Sequence, residues 1–393
     1  YLEKILIQVR KEILVRRNEN KDIRNHFDFI MSLSEQCFLN EYVYTQTKNE
    51  VDRIKIIQAD LERKKEINEL DIAILGCYIP LITSENLKDK LINYKSKNIL
   101  FNDLITMQIK EIIEEQKLKK TIKSHGVIRD KISHKIKKQY EENPYPRWRY
   151  LYTNIKKNFI LRFQNQIKPN KINIKKSDKF NKPNVLIAGC GTGRHLFITD
   201  SYLDANIIGI DLSLTSLAYA KRKIKEAGFR NIELLQSDIL NLKNVEFLHA
   251  DILQLRNLNR KFDVIECAGV LHHMKDPLKG LEILLNLLEP HGFLKLGLYS
   301  QIARQHITYA RNLVKEKKFK SNIEDIRKCR YEIFNAKNDN FLKKVSLGRD
   351  FYTVSSVRDL IFHEQEHCFS IHEIIKILIK FKLKFLGFSD SGI

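Results

Sequence analysis

An abrupt change of pattern at Val185 is the feature that most constrains the fold. From this residue onward, short apolar runs typical of buried strands alternate with segments of helical periodicity. The runs cover residues 185–188, 207–210, 262–267 and 293–298. This alternation predicts an α/β fold in which a Rossmann-like, mostly parallel sheet is covered by helices.

The part of the chain before this change has a different character. Apolar residues recur at helical spacing with almost no Gly or Pro, so we expect residues 1–125 to be all-helical, within a helical domain spanning 1–135. Residues 136–182 form a basic linker in which Pro144 and Pro146 fix an extended path. The Asn-Pro-Tyr-Pro-Arg-Trp segment of this linker is either a substrate lid or a structural brace between domains.

The predicted cofactor-binding core spans residues 183–300. Residues 301–393 are expected to hold a helical insertion followed by the final helix and strand of the core, the strand at 383–388. The chain starts at Tyr1 and stops shortly after that strand, so we expect both ends to be truncated.

A glycine-rich turn directly follows the first apolar run. Gly189, Gly191 and Gly193 lie between a strand and a helix, a context in which glycine lets the backbone approach a bound nucleotide closely. Asp211 ends the second strand, where its carboxylate can accept both ribose hydroxyls of an adenosine. The third glycine comes one residue earlier than in the dinucleotide pattern, which favours S-adenosylmethionine over NAD as cofactor. The predicted cofactor contacts around these two features are Ala188, Gly189, Cys190, Gly191, Gly193, Asp211 and Leu212.

A tandem duplication follows this region. Residues 232–244 (IELLQSDILNLKN) and 245–257 (VEFLHADILQLRN) are identical at seven of thirteen positions. Only one copy can occupy the single slot in the sheet. The adenine contact is therefore either Asp238 with Ile239 or Asp251 with Ile252, and we slightly favour Asp251 because its copy leads directly into the next strand.

Composition bears on the cellular compartment of the protein and on its binding partners. The net charge of +21 is dispersed along the chain together with abundant Ile and Asn, which argues against nucleic acid as a partner. The six cysteines are isolated in sequence, as in proteins of a reducing cytoplasm, and no apolar run is long enough to cross a bilayer.

Several stretches resemble class I S-adenosylmethionine-dependent methyltransferases, and more narrowly the bacterial group in which such a domain follows tetratricopeptide repeats. The resemblance implies a methyltransferase whose acceptor is unidentified and whose helical half could bind a protein partner. The repeats are absent here, and Ile187 stands where the wider class often has an acidic residue. The stretches are QCFLNEYVY (36–44), QYEENPYPRW (139–148), VLIAGCGTGRH (185–195), GIDLSLTSLAYAKRK (209–223), FDVIECAGVLHHM (262–274), GLYSQIAR (297–304) and RDFYTVSSVRDLIFHEQEHCFS (349–370).

The acceptor side of the site is predicted from strand ends and from the resemblance. Methyl transfer is an in-line displacement that gains mostly from positioning, so no obligatory catalytic residue is expected. For the two histidines, packing or capping ahead of the helix that Asp276 opens is the alternative role. The predicted catalytic residues are His272, His273 and Tyr299, and the predicted substrate contacts are Tyr140, Asn143, Tyr145, Arg147, Trp148, Arg304, His363 and His367.

Three alternative functions remain open. Residues 363–367 spell HExxH, which on a helix would bind zinc, but a third ligand is poorly supplied and we predict no metal. A non-catalytic cofactor-binding interaction protein is the main competitor of the enzyme. An NAD-dependent oxidoreductase is disfavoured by the glycine spacing.

Overall fold

The computed structural model describes residues 1–150, 159–168, 182–199, 205–230 and 245–389. It divides into two compact units. Unit 1 comprises residues 1–117 and 309–362, and unit 2 comprises residues 118–308 and 363–393. The segment 309–362, which the sequence assigned to the C-terminal region, therefore belongs to unit 1.

The helices of the described residues are short to medium in length, and most begin at a capping side chain. In chain order they are α1 (Leu2–Asn18), α2 (Phe27–Leu39), α3 (Lys48–Arg63), α4 (Glu69–Gly76), α5 (Glu85–Leu91), α6 (Ile99–Ile105), α7 (Glu111–Lys119), α8 (Lys131–Glu142), α9 (Phe159–Gln166), α10 (Arg194–Thr199), α11 (Leu214–Arg230), α12 (Pro277–Leu287), α13 (Gln305–Glu316), α14 (Ile323–Asn335), α15 (Asn340–Leu347), α16 (Val354–Ile361) and α17 (Ile371–Lys380). Short 3₁₀ turns lie at Arg24–His26, Leu81–Thr83, Ile252–Asn257, Leu271–His273 and Arg349–Phe351, and a π-helical turn lies at Thr106–Lys110.

Unit 1 is helical and contains a buried polar cluster around residues 36–44. The guanidinium of Arg10, which is 1% exposed, lies 4.3 Å from the ring centre of Tyr78 and 3.6 Å from Glu50. On α14, Arg327 donates to the carbonyl of Tyr42 at 2.5 Å. The stretch contributes the carbonyl of Tyr42 and the ring of Tyr44, whose centre lies 5.8 Å from the guanidinium of Arg10, so its backbone and aromatic groups contact buried arginines.

Unit 2 is built on a six-stranded sheet in which every pairing is parallel. The strands are β1 (Lys123–Ser124), β2 (Ile167–Lys168), β3 (Asn184–Ala188), β4 (Asn206–Asp211), β5 (Val245–His249), β6 (Phe262–Ala268), β7 (Leu288–Gly297) and β8 (Phe388–Ser389). The order in the sheet is β1-β5-β4-β3-β6-β7, with β2 and β8 forming a separate antiparallel pair. This confirms the predicted Rossmann-like parallel fold.

The apolar runs form strands because both faces of the sheet are covered. Leu186, Ile210 and Ile265 lie in the core on one face, while Val185, Ile207 and Val264 lie in the core on the other. A strand buried on both faces is apolar throughout, which is why these runs could be recognised in the sequence.

The predicted helical character of the N-terminal region is confirmed, although Lys123 and Ser124 at its end pair with Leu248 and His249 as an edge strand. One prediction about strands is wrong. The strand expected at 383–388 is instead Phe388–Ser389, and it pairs with Ile167–Lys168 and not with the six-stranded sheet. Two-residue strands of this kind form where a neighbouring strand has an unpaired edge. They are too short to show a periodic pattern of apolar residues in the sequence.

The second copy of the duplication occupies the slot beside β4. Val245 pairs with Ile207, and His249 pairs with Asp211. The first copy, residues 232–244 with Asp238 and Ile239, lies outside the described residues. Of the two candidate adenine contacts, the structure therefore describes only Asp251 with Ile252.

Among the described residues, none of the helices combines the length and the hydrophobicity that a bilayer span requires.

Candidate functional site

The glycine-rich turn follows β3 with all three glycines in the left-handed region, at φ values of +78° for Gly189, +53° for Gly191 and +84° for Gly193. The N–H groups of Gly189 and Cys190 both donate to the carbonyl of Ile210 at 2.9 Å, which ties the turn to the end of β4. A Cβ on Gly189 would lie 2.1 Å from Cγ2 of Val270. Glycine is therefore required here both for its backbone conformation and for space.

Asp211 faces this turn from the end of the neighbouring strand. Its Oδ2 accepts the N–H of Gly191 at 2.9 Å, and its Oδ1 accepts the N–H of Ser213 at 2.8 Å. Burial raises the pKa of Asp211 to about 6, although the hydrogen bonds from Ser213 and Gly191 act in the opposite direction. The turn and the carboxylate thus face one another across adjacent parallel strand ends, where ligands of such sheets bind.

Asp251 lies just beyond the end of β5, on the other side of β4. Its Oδ1 accepts the N–H of Leu253 at 2.9 Å and so begins a short 3₁₀ turn. Its Oδ2 is buried and has no hydrogen-bond partner among the described residues. A buried acceptor without a donor is costly, so this oxygen is a candidate for a ligand N–H.

His249 contacts the backbone that directly follows Asp211. Its Nε2 lies 3.1 Å from the carbonyl of Leu212, and its Nδ1 lies 2.9 Å from the hydroxyl of Ser124 on β1. Burial lowers the pKa of His249. The unpredicted edge strand therefore helps to position Leu212 next to Asp211.

The Asn-Pro-Tyr-Pro-Arg-Trp segment, residues 143–148, packs on the glycine-rich turn. The hydroxyl of Thr192 donates to the carbonyl of Pro146 at 2.5 Å, and Nε1 of Trp148 donates to the carbonyl of Thr192 at 3.2 Å. The hydroxyl of Tyr219 on α11 is hydrogen-bonded to the backbone of Trp148. A Cβ on Gly191 would lie 2.8 Å from the carbonyl oxygen of Tyr145. Glycine at position 191 therefore allows the segment 143–148 to pack against the turn.

The end of α8 fixes the same segment to the start of α11. Glu141 accepts the N–H of Leu214 and the hydroxyl of Thr215, both at 2.6 Å. The hydroxyl of Ser213 donates to the carbonyl of Tyr140 at 3.1 Å. Helix α8 ends at Glu142, as the prolines require, and Asn143 and Arg147 lie in the segment that follows.

Beyond the carboxyl ends of β6 and β7, predicted acceptor residues form an aromatic stack. The rings of His272 and Tyr299 stack at 3.6 Å, and those of His273 and His363 stack at 3.6 Å. His272 meets His273 edge to face at 4.3 Å, and Tyr140 lies 6.2 Å from His363. Five residues predicted separately from the sequence are thus brought together.

His272 is fully buried, and neither of its ring nitrogens has a hydrogen bond of good geometry within the described residues. Burial, together with the nearby His273 and Arg304, lowers its pKa to about 2, while the backbone of Gly297 acts in the opposite direction. The His272 imidazole is therefore uncharged at pH 7. It can orient a polar group, but it cannot store a proton.

Arg304 covers the outer face of Tyr299. Its guanidinium lies 3.7 Å from the ring centre of the tyrosine and forms two hydrogen bonds to Glu366, at 2.7 and 3.2 Å. The Glu366 side chain is 3% exposed. Sequence reasoning did not select Glu366, although its position within the HExxH block was a signal.

The HExxH residues do not form a zinc-type helix. Residues 363–367 are not helical, and the carbonyl of Gln365 lies 2.8 Å from Nδ1 of His273 and 2.9 Å from Nδ1 of His363. The backbone N–H of His367 donates to the carbonyl of His272 at 2.7 Å. This block therefore supports the aromatic stack and lacks the two-imidazole helix face of zinc hydrolases.

Glu266 is a second residue that the sequence analysis missed. It is 1% exposed on β6, beside Ile187, and its Oε2 lies 2.5 Å from Nε2 of His195 and 3.9 Å from Lys295. Glu266 could have been selected from the sequence because it is an acidic residue within an otherwise apolar predicted strand. It supplies a buried carboxylate next to the position at which the resemblance led us to expect one.

Three predicted cofactor residues have side chains in the core. Ala188 and Ile252 belong to the core on one face of the sheet, and Cys190 belongs to the core on the other face. Any contact of these residues with a ligand would therefore use their backbone.

Comparisons with known proteins find a methyltransferase-like sequence in part of the chain. Residues 179–338 match the family model for a methyltransferase domain. The chain is 28% identical over 229 residues to an uncharacterized protein of Synechococcus sp., covering 55% of this chain and 50% of that protein. It is 30% identical over 145 residues to the ubiquinone biosynthesis O-methyltransferase of Haemophilus ducreyi, covering 36% of this chain and 56% of that protein.

The solved structure of PKMT2 from Rickettsia typhi in complex with AdoHcy covers 51% of this chain and 39% of its own, with 23% identity and a TM-score of 0.40. The chain spans about half the length of the curated relatives named here.

Proposed function

We propose that unit 2 binds S-adenosylmethionine and transfers its methyl group to an acceptor, making the protein a methyltransferase. The observation that carries the proposal is the pairing of the Gly191 N–H with the Asp211 carboxylate at the ends of adjacent parallel strands. The match of residues 179–338 to a methyltransferase domain supports it. Cytoplasmic location, a protein partner for unit 1 and the association with tetratricopeptide repeats are part of the same proposal.

The residues present fit the cofactor. The glycine-rich turn allows close backbone approach, and the ionised Asp211 offers two acceptor oxygens for ribose hydroxyls. The unpartnered Oδ2 of Asp251 offers an acceptor for the exocyclic amine of adenine. When bound, S-adenosylmethionine supplies an electrophilic methyl carbon, and its transfer to an acceptor heteroatom leaves S-adenosylhomocysteine and one released proton.

The aromatic stack is the proposed acceptor side. His272, His273 and Tyr299 lie after β6 and β7, at the carboxyl ends where an acceptor would meet the cofactor. Because His272 is neutral, we assign it a hydrogen-bonding and orienting role, and the acceptor proton leaves to solvent. Positioning of this kind is the main source of rate in a direct displacement. Arg304, His363 and His367 would then shape the acceptor side, and the segment 143–148 would cover the cofactor turn.

Calorimetry of the full chain with S-adenosylmethionine, S-adenosylhomocysteine and NADH tests the assignment. We expect both sulfur compounds to bind, and Asp251→Asn to weaken binding by about tenfold, because an amide oxygen is a poorer acceptor than a carboxylate. Asp339→Asn, which alters the carboxylate capping α15 in unit 1, is the matched control and should leave the affinity unchanged. Binding of NADH without either sulfur compound would reverse the assignment.

A non-catalytic cofactor-binding protein is the second candidate, since Gly189, Gly191, Gly193 and Asp211 serve binding as well as catalysis. Labelled methyl transfer into a native lysate separates the two. Cofactor affinity with no transfer into any lysate component favours the non-catalytic protein.

A further inference from the structure

Glu266 is a buried acidic side chain to which the contacts proposed so far give no role. It lies on β6 and is 1% exposed. Its Oε2 lies 2.5 Å from Nε2 of His195, in the first turn of α10, and 3.9 Å from Nζ of Lys295 on β7. Because a carboxylate is costly to bury, a glutamate inside an apolar strand is a candidate for a functional role.

The position of Glu266 continues the row of proposed cofactor contacts. The strands lie in the order β5, β4, β3 and β6, and the first three lead into Asp251, Asp211 and the glycine-rich turn. From β4 to β6 there are two strand spacings, about 10 Å, which a ribose and an amino-acid chain joined through sulfur can span. With adenine at Asp251 and ribose at Asp211, the amino-acid end of the cofactor extends towards β6.

The position at which the wider class often has an acidic residue cannot supply a charge here. Ile187 is fully buried and packs in the core on one face of the sheet. Glu266 is its register partner on β6, and Val264, two residues earlier, packs in the same core. Since side chains alternate along a strand, Glu266 faces the same side of the sheet as Ile187. The neighbouring strand thus supplies the carboxylate that β3 lacks.

Glu266 and Lys295 together are complementary to a zwitterion. Their separation of 3.9 Å is longer than a hydrogen bond. An α-amino acid carries an ammonium and a carboxylate on one carbon, so its two charges can pair with Glu266 and Lys295 at the same time. The side chains of His195 and Lys295 are 20% and 24% exposed, so the groups that cover the buried carboxylate are themselves accessible.

We propose that Glu266 and Lys295 bind the amino-acid end of S-adenosylmethionine, with Glu266 accepting hydrogen bonds from its α-ammonium and Lys295 pairing with its α-carboxylate. His195 is a positioning residue, because its imidazole holds Oε2 of Glu266. This inference rests on the proposed function and concerns the half of the cofactor to which the roles of Asp211 and Asp251 do not extend.

Three adenosine compounds separate the two charges in calorimetry of the full chain. S-adenosylhomocysteine carries both charges, decarboxylated S-adenosylhomocysteine keeps only the ammonium, and 5′-methylthioadenosine has neither. Glu266→Gln should weaken binding of the first two by about tenfold and change that of 5′-methylthioadenosine by less than about twofold, because only a charge-assisted hydrogen bond is lost. Lys295→Gln should weaken only S-adenosylhomocysteine, by about fivefold, because Lys295 is partly exposed.

Glu246→Gln is the matched control. Glu246 is also a strand glutamate of the same sheet, but it lies near the start of β5 and pairs with Arg260 at the surface. All three affinities should be unchanged in this variant.

Equal losses for the three compounds in Glu266→Gln, or no loss for any of them, overturn the inference, while binding of S-adenosylhomocysteine to the wild type leaves the proposed function standing. Should Glu266→Gln fail to fold, Lys295→Gln decides. An unchanged ratio of the affinities for S-adenosylhomocysteine and 5′-methylthioadenosine in that variant overturns the inference. A wild type that binds none of the three compounds overturns the proposed function and this inference with it.

Discussion

Asp211 is the residue whose charge matters most for the proposed cofactor site. Its pKa is raised to about 6, and only the ionised form can accept two hydroxyl hydrogens. We therefore expect the affinity for S-adenosylhomocysteine to be constant above pH 7 and to fall as the pH drops through 6. Calorimetry across this range checks the prediction, and an affinity that is unchanged at pH 5 would contradict it.

Asp211→Asn separates binding from stability. Because the folded pKa is above the unfolded value, the charged group destabilises the fold at neutral pH, and stability is gained as the pH falls from about 6 towards 4. We expect the amide variant to lose no more than about 1–2 kcal/mol of stability, because removal of the buried charge offsets part of the cost of turning an NH2 group towards one of the two backbone N–H donors, while its cofactor affinity falls by at least about tenfold. Thermal unfolding monitored by circular dichroism at pH 7, beside calorimetry, gives both readouts, and a large drop in Tm would show that the carboxylate is needed for folding.

Gly189 and Gly269 form a matched pair for testing the turn. Both have φ of +78°, but a Cβ on Gly189 would meet Val270 at 2.1 Å, whereas a Cβ on Gly269 would meet nothing within 4 Å. Gly269→Ala should cost about 1 kcal/mol for the backbone alone. Gly189→Ala should cost about 3 kcal/mol, because overpacking is added. Urea unfolding of both variants measures the difference, and equal costs would rule out the steric contact.

At the scale of elements, the segment 143–148 is expected to slow cofactor release. The variant Thr192→Val/Tyr219→Phe removes the side-chain hydroxyls that hold Pro146 and Trp148. Because each lost hydrogen bond is worth about 1 kcal/mol, we expect the dissociation rate of S-adenosylhomocysteine to rise about tenfold or more. Stopped-flow measurement checks this, with the exposed Tyr331→Phe as control. An unchanged dissociation rate would show that the segment 143–148 has a structural role only.

The Arg304–Glu366 pair connects the non-helical 363–369 segment to the aromatic stack. Its side chains are 14% and 3% exposed, so breaking the pair leaves a buried charge. A double-mutant cycle with Arg304→Gln and Glu366→Gln should give a coupling energy of more than about 1 kcal/mol. The exposed Arg16–Glu12 pair of α1 should give about 0.3–0.5 kcal/mol in the same unfolding experiment. Equal couplings would show that burial adds nothing to the pair.

The elements that the sequence predicted are those with a strong local pattern. Strands β3, β4 and β6 are buried along almost their whole length and are mostly apolar, and α12 begins at Asp276 and Pro277 as its cap and first residue require. Strands β1 and β8 have two residues each, and their partners are distant in sequence. The joining of His272, His273, Tyr299 and His363 was predictable only in part, because strand ends place the first three but nothing local places residue 363.

At the scale of the whole molecule, the net charge of +21 raises the question of polyanions. The excess is dispersed in sequence, and dispersed charge gives only salt-sensitive, non-specific attraction. We expect labelled duplex DNA to bind with a Kd weaker than about 10 µM at physiological salt and to dissociate further as salt is added. Fluorescence anisotropy checks this, and tight binding that persists at high salt would require a dedicated nucleic-acid surface.

The place of β5 between β1 and β4 has an evolutionary consequence. Both of its edges are occupied, so the sheet can accept one version of the repeated thirteen residues at a time. Selection for an intact strand and for a carboxylate at its end then acts on residues 245–257, which contain that strand. Among related genes, substitutions and in-frame losses should accumulate in residues 232–244 first.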